Sequence, residues 1–291
     1  MSTTIFLQAL LSGLTNGAIY ALVAVGLTLV FGVMRIVNFA HGEFLMLAMY
    51  GGYLAFTFLG LDPILAVFLV APVLMLMGYL LFDGLIRPAL KVPEINQMAV
   101  TLGLSLLLQY LALVAFKADN LLVTQERSTA SIWLGPVLIQ MPQAIAALAS
   151  IILLGLFYLV LRKTDLGLIM RVVSQSRDGA ALSGIDISGT YRWAMAIGLG
   201  TLGIAGPLMV SALYVNPHVG QLFTLKAFVI VIVGGMGSFG GVLIGALLVG
   251  IAESIAASWL TASVAAAVPF ALLILVMLLR PEGLVPAGGS R

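Results

Sequence analysis

Three groups of residues in this chain could do chemistry that their surroundings cannot. The first is Asn38-Phe39-Ala40-His41-Gly42-Glu43, bounded on both sides by apolar runs. A charge at the centre of a bilayer costs about 2.5–3.5 kcal/mol on insertion scales, so an Asn, a His and a Glu held there must face a cavity or a polar partner. Gly42 lets the backbone bend or another helix come close. Two readings stand: a broken or kinked helix start lining a passage, or an interfacial turn whose His41 and Glu43 reach back to water. The second group is Gly234-Gly235-Met236-Gly237-Ser238-Phe239-Gly240-Gly241, too rich in glycine for a regular helix. Non-helical backbone at membrane depth survives only when buried in protein or facing a watery cavity. Its amides and carbonyls then suit transient hydrogen bonds to a polar zwitterion; the plainer reading is a tight packing corner. The third is Glu253. Ala246, Gly250, Glu253 and Ala257 share one helical face, a small-residue seam that brings another helix close and turns the carboxylate inward, either protonated or paired with a Lys or Arg.

Other chemistries are excluded. The chain has no cysteine, hence no disulfide and no thiolate metal site, and its two histidines, His41 and His218, are too far apart in sequence to suggest a metal site. It contains no G-x-x-x-x-G-K-[ST] run for ATP and no H-E-x-x-H. No G-x-S-x-G nucleophile elbow lies in a span. No catalytic residue, metal or cofactor is expected.

The elements that position these groups follow from composition. Hydrophobic residues make up 62% and charged residues 8%, against about 25% charged in soluble domains, and the mean hydropathy is +1.19. The expected fold is an all-α integral membrane protein, one domain over residues 1–291. Its bundle has about eight transmembrane helices plus a short Gly-broken or re-entrant segment. The spans run near Ile5–Val33, Phe44–Leu61, Pro63–Phe82, Met98–Phe116, Gln143–Leu161, Trp193–Val215, Val242–Leu260 and Val264–Leu279, with Lys226–Gly240 as the short piece. The net charge of +2 reports membrane orientation rather than a nucleic-acid partner. Arg162, Lys163, Arg171, Arg177 and Arg192 place the loop at 162–192 in the cytosol. The Lys117–Met141 loop, with Lys117, Asp119, Glu126 and Arg127 in balance, then lies outside. Arg35, Arg87 and Lys91 fall inside, and Arg280 and Arg291 favour a cytosolic C-terminus. The first nine residues carry no Lys or Arg, so the first apolar stretch reads as a span rather than a signal peptide. No internal repeat stands out.

The loop at 162–192 is the longest polar interruption. Ser174 is the expected N-cap and Gly184 the expected stop of a short helix, with Ala180 and Ala181 as a smooth face and Arg177 and Asp178 as polar anchors. It is either a solvated connector or a helix lying under the membrane that docks into a partner.

Ile36-Val37-Asn38-Phe39-Ala40-His41-Gly42-Glu43, Leu182-Ser183-Gly184-Ile185-Asp186 and Val233-Gly234-Gly235-Met236-Gly237-Ser238 together resemble the LivH-type permease family of branched-chain amino-acid ABC transporters, over essentially the whole chain. The resemblance implies an uptake system of the bacterial inner membrane. A periplasmic binding protein delivers a hydrophobic amino acid, a related second permease pairs with this one, and two cytosolic ATPases hold ATP and Mg. By the same resemblance Arg177, Asp178, Ala181 and Gly184 belong to the ATPase-contacting loop. Asn38, His41, Gly42, Glu43 and the Gly234–Gly241 run belong to the permease core. Urea, short amides and other amino acids remain alternative substrates. A proton-coupled secondary transporter with His41, Glu43 and Glu253 as a relay is the alternative of a different class.

Overall fold

Apolar runs cut by Gly and Pro dictate the helices. The computed structural model describes residues 3–124 and 130–285; Glu126, Arg127 and Arg291 lie outside them. The chain opens with α1 (Thr3–Met34), α2 (His41–Leu59) and α3 (Pro63–Leu81), the last running on through a π turn at Phe82–Ile86 into α4 (Arg87–Ala89). The α2–α3 corner is set by Gly60, left-handed at φ 64, and by Asp62, whose carboxylate caps α3 at the Ile64 amide ahead of Pro63. Next come α5 (Glu94–Phe116), a hairpin of β1 (Ser131–Leu134) and β2 (Val137–Gln140), and α6 (Met141–Lys163). The hairpin adds two short antiparallel strands to the expected helical bundle, and the Gln8 side chain clamps the backbone of Leu138 from both sides. Then follow α7 (Asp165–Gln175), α8 (Arg177–Leu182), α9 (Ile187–Val210), α10 (Val219–Gly234), α11 (Phe239–Ala257), α12 (Ala262–Ala265) and α13 (Val268–Leu279).

Among the described residues seven helices are long and apolar enough to cross a membrane, and Val219–Gly234 and Ser263–Leu279 are shorter apolar helices. Several boundaries differ from the sequence expectation, and two of them bear on the site. The sixth expected span ends at Val210 rather than Val215, because the chain turns at Ser211 and Ala212, and Val215 bridges to Leu121. The short piece expected at Lys226–Gly240 is a regular helix beginning at Val219, and the glycine run lies after it. The helix starts through the mixed Val219–Lys226 stretch, continues over the apolar Ala227–Val233 run, and the glycines end it.

The structure also contains an internal symmetry that sequence reasoning did not find. α1–α2–α3 and α9–α10–α11 have the same order: a long helix, a non-helical return, a shorter helix starting inside the bundle, and a third helix. Each long helix packs on the third helix of the other unit, with Gly13 and Gly17 of α1 against Ile251 and Leu247 of α11, and Gly203 of α9 against Ala71 of α3. The long helices meet each other at Gly26 and Gly198, and the short ones at Gly42 and Gly220. Asn38 and Asn216 each precede that last glycine by four residues, and each accepts the amide two residues on, from Ala40 and His218.

Candidate functional site

His41 opens α2 beside the middle of α1: its Nε2 lies 3.0 Å from the Val23 carbonyl oxygen. α1 continues eleven residues further to Met34, about 16 Å at 1.5 Å per residue. The chain from Arg35 to Ala40 therefore climbs back into the bundle before α2 starts. Arg35 makes the reversal with a left-handed φ of 57. Asn38, His41 and Glu43 are each only 1% exposed, so the interfacial-turn reading fails and the re-entrant helix start stands.

Glu43 sits in the first turn of α2, where the helix end favours negative charge. Ser105 Oγ, at the centre of α5, donates to Glu43 Oε1 at 3.3 Å. A methyl on Gly42 would fall on the Gly220 carbonyl oxygen, and one on Gly220 would fall on Glu43 Oε2, so the two helix starts cross at van der Waals contact only because both residues are glycine. The Gly42 amide donates to Thr224 Oγ1 at 2.9 Å, and that hydroxyl donates to the Gly220 carbonyl at 3.0 Å, tying the crossing together. Among the described residues nothing donates to Glu43 Oε2, and Asn38 Nδ2 has no acceptor. Thr224, Ser105 and Gly220 belong to this site, and sequence reasoning missed them. The spacing shared by Asn38…Gly42-Glu43 and Asn216…Gly220-Gln221 was the available signal.

The glycine run is a corner. Gly234 ends α10, Gly235 and Gly237 take φ values of 109 and 81, and Ser238 caps α11 by accepting the Gly241 amide. The Val233 and Gly234 carbonyls are taken by the amides of Leu284 and Val285. Gly241 packs on Gly234 and Gly237 lies near Gly32. The plain packing reading holds for this geometry.

Glu253 is paired. Lys226 Nζ lies 2.7 Å from its Oε1, Tyr20 Oη donates to its Oε2 at 3.1 Å, and Lys226 also donates to Tyr20 at 3.0 Å. This closed triangle joins α1, α10 and α11. It uses both carboxylate oxygens, and no hydrogen bond among the described residues links it to His41 or Glu43.

In the polar loop, two helices replace the single expected one. α7 buries Gly167, Met170 and Val173 on one face. Its corner with α6 is so tight that a methyl on Gly167 would fall on the Leu161 carbonyl, the group to which the Arg171 guanidinium also donates. Ser174 lies inside α7 and donates to the Arg171 carbonyl. The cap of the second helix is Ser176, extended in backbone, whose hydroxyl accepts the Gly179 amide at 3.0 Å. Periodicity alone could not choose between two serines two residues apart. α8 is pinned by the fully buried Ala180 and by Arg177 over the Tyr191 ring. It closes with Gly184 at φ 77, whose amide bonds the Ala181 carbonyl. Asp178, Ala181 and Gly184 are exposed. Leu182, which sequence reasoning did not single out as a contact, is 90% exposed at the tip.

Residues 9–277 match the family model described as "Branched-chain amino acid transport system / permease component". The chain belongs to this permease family. It is 31% identical over 301 residues to the high-affinity branched-chain amino acid transport system permease protein LivH of Escherichia coli K12, covering 96% of this chain and 95% of that one. The permease is also 31% identical to BraD of Pseudomonas aeruginosa, named likewise, over the same shares of both chains. A probable branched-chain amino acid transport permease protein LivH of Methanocaldococcus jannaschii is 28% identical over 83% of this chain and 78% of its own. No solved structure matches it.

Proposed function

We propose that this permease is the membrane subunit of an ATP-driven importer that takes up branched-chain or other hydrophobic amino acids. It is not itself catalytic. A periplasmic binding protein delivers the solute, a related second permease completes the passage, and two ATPases on the cytosolic side of the inner membrane hold ATP and Mg. The observation that carries this reading is α8: in a chain built to sit in lipid, a short capped helix presents Asp178, Ala181, Leu182 and Gly184 outward. An isolated leucine 90% exposed beside polar residues is a candidate anchor for a pocket on a partner, since interface energy concentrates in a few buried side chains. A cleft of about 410 Å³ lies behind α8, lined by Arg177 and Asp178, by Met34 and Arg35, and by Glu94 and Gln97 of α5. A push on α8 is thus placed to reach both the re-entrant segment and the base of α5.

The test is purification of the tagged chain from its host in mild detergent, followed by reconstitution into vesicles. Recovery of a second permease and ATPases, with ATP-dependent leucine uptake that needs the binding protein, is the expected outcome. Recovery of the chain alone, with uptake driven by a proton gradient, would sink the proposal.

A further inference from the structure

α5 contradicts its own composition. It is an apolar span whose outer face shows Leu102, Leu106, Leu107, Leu111 and Val114. Its inner face carries a polar row at four-residue spacing, Thr101, Ser105 and Gln109. On a helix these lie one above another. Each touches a different part of the crossed helix starts. Thr101 donates to the Val37 carbonyl at 3.1 Å in the re-entrant segment, Ser105 to Glu43 at 3.3 Å, and Gln109 Nε2 lies 3.1 Å from His218 Nδ1 at the start of α10. A helix that only had to pack here would be cheaper with small apolar residues, because membrane helix contact rests on close packing. Glu43 Oε2 is buried over Gly220 at the same level with no donor among the described residues.

We propose that the solute path runs between α5 and the α2/α10 crossing, with Thr101, Ser105 and Gln109 as its polar wall and Glu43 as the contact for the substrate's ammonium group. This rests on the amino-acid importer reading and names the substrate chemistry at its site. The dipoles of the two helix starts favour the substrate carboxylate, while Glu43 Oε2 is free to accept from the ammonium. The apolar side chain then faces Leu104 and Leu108, the second row of the same α5 face. Opening needs α5 to move, and its first turn already lines the cleft behind α8.

The absence of native cysteine makes the test direct. Ser105→Cys, Gln109→Cys, Leu106→Cys and Leu111→Cys chains are assembled with their partner subunits in vesicles and treated with membrane-impermeant methanethiosulfonates, one cationic and one anionic. Ser105→Cys and Gln109→Cys are expected to react at least about ten-fold faster than Leu106→Cys and Leu111→Cys. The cationic reagent is expected to outpace the anionic one at Ser105→Cys by about ten-fold, given a carboxylate within hydrogen-bond reach. Glu43→Gln is expected to raise the KM for leucine about ten-fold, with Glu43→Asp recovering most of it. Faster labelling at Leu106→Cys and Leu111→Cys, or none at any position, would overturn the path. Equal rates for the two reagents at Ser105→Cys would overturn the ammonium contact, and that reading survives even where Glu43→Gln fails to assemble. Should the assembled transporter take up no amino acid while the row is labelled, the importer reading fails and the path stands. Uptake with an unlabelled row does the reverse.

Discussion

Lys226, Glu253 and Tyr20 show why single charges in an apolar chain must be read as pairs. A lone charge in a low-dielectric bundle is costly, and here the lysine and the carboxylate offset each other at 2.7 Å. Removing one partner leaves an uncompensated charge, so Lys226→Met or Glu253→Leu should each destabilise by about 3 kcal/mol, whereas the double replacement should recover most of the loss. Apparent thermal midpoints of the four chains in detergent decide this; additive losses would mean that the pair is not coupled. At the helix crossing the same scale applies to volume. Gly42→Ala puts a methyl on the Gly220 carbonyl and the Thr224 hydroxyl and should cost about 1–3 kcal/mol by overpacking. Gly103→Ala, in α5 with nothing within 4 Å, is the control and should be neutral or up to about 1 kcal/mol stabilising. A drop in midpoint for Gly103→Ala as large as that for Gly42→Ala would sink the close-approach argument.

Among the elements, α8 is the one built to be touched. It is only six residues long, too short to be stable alone, and holds its shape through the Ser176 cap, buried Ala180 and the left-handed Gly184. Leu182→Asp should weaken ATPase association about ten-fold or more if the leucine fills a partner pocket, as read from the salt and detergent resistance of the purified complex. In Gly184→Trp nothing lies within 4 Å of the new Cβ, but the variant forces a non-glycine residue to φ 77 at a cost of about 1–2 kcal/mol. It is expected to insert normally yet lower the amount of solute moved per ATP hydrolysed. An unchanged ratio, measured in vesicles, would place the coupling contact elsewhere.

At the scale of the whole molecule, the two facing three-helix units put the polar loop and the Arg280–Val285 segment on one side. Gly237 shares a cavity with Arg162 and Arg171, and Leu284 and Val285 pair with the end of α10 beside it. With no native cysteine to mask, Ser183→Cys and Glu282→Cys should react with an impermeant reagent from the same face of the membrane, and Lys117→Cys from the opposite one. Labelling of Ser183→Cys and Glu282→Cys from opposite faces would refute this arrangement.

Span-forming character, the polar loop, the charge bias and the family strings are properties of short segments, and the sequence alone determined them. The His41-Gly42-Glu43 string was legible as costly, hence as something needing a partner. Which partner was decided only by tertiary structure, because Ser105, Gly220 and Thr224 are 62, 178 and 182 residues from Glu43 or Gly42 along the chain. The same holds for Glu253: its need for a proton or a cation followed from hydrophobic surroundings, but the pairing with Lys226 and Tyr20 required α1, α10 and α11 to meet. The exchange of partners between the two units was hidden for a further reason. Close helix packing demands small residues at crossings, not a fixed sequence, so matching units share geometry while their letters diverge.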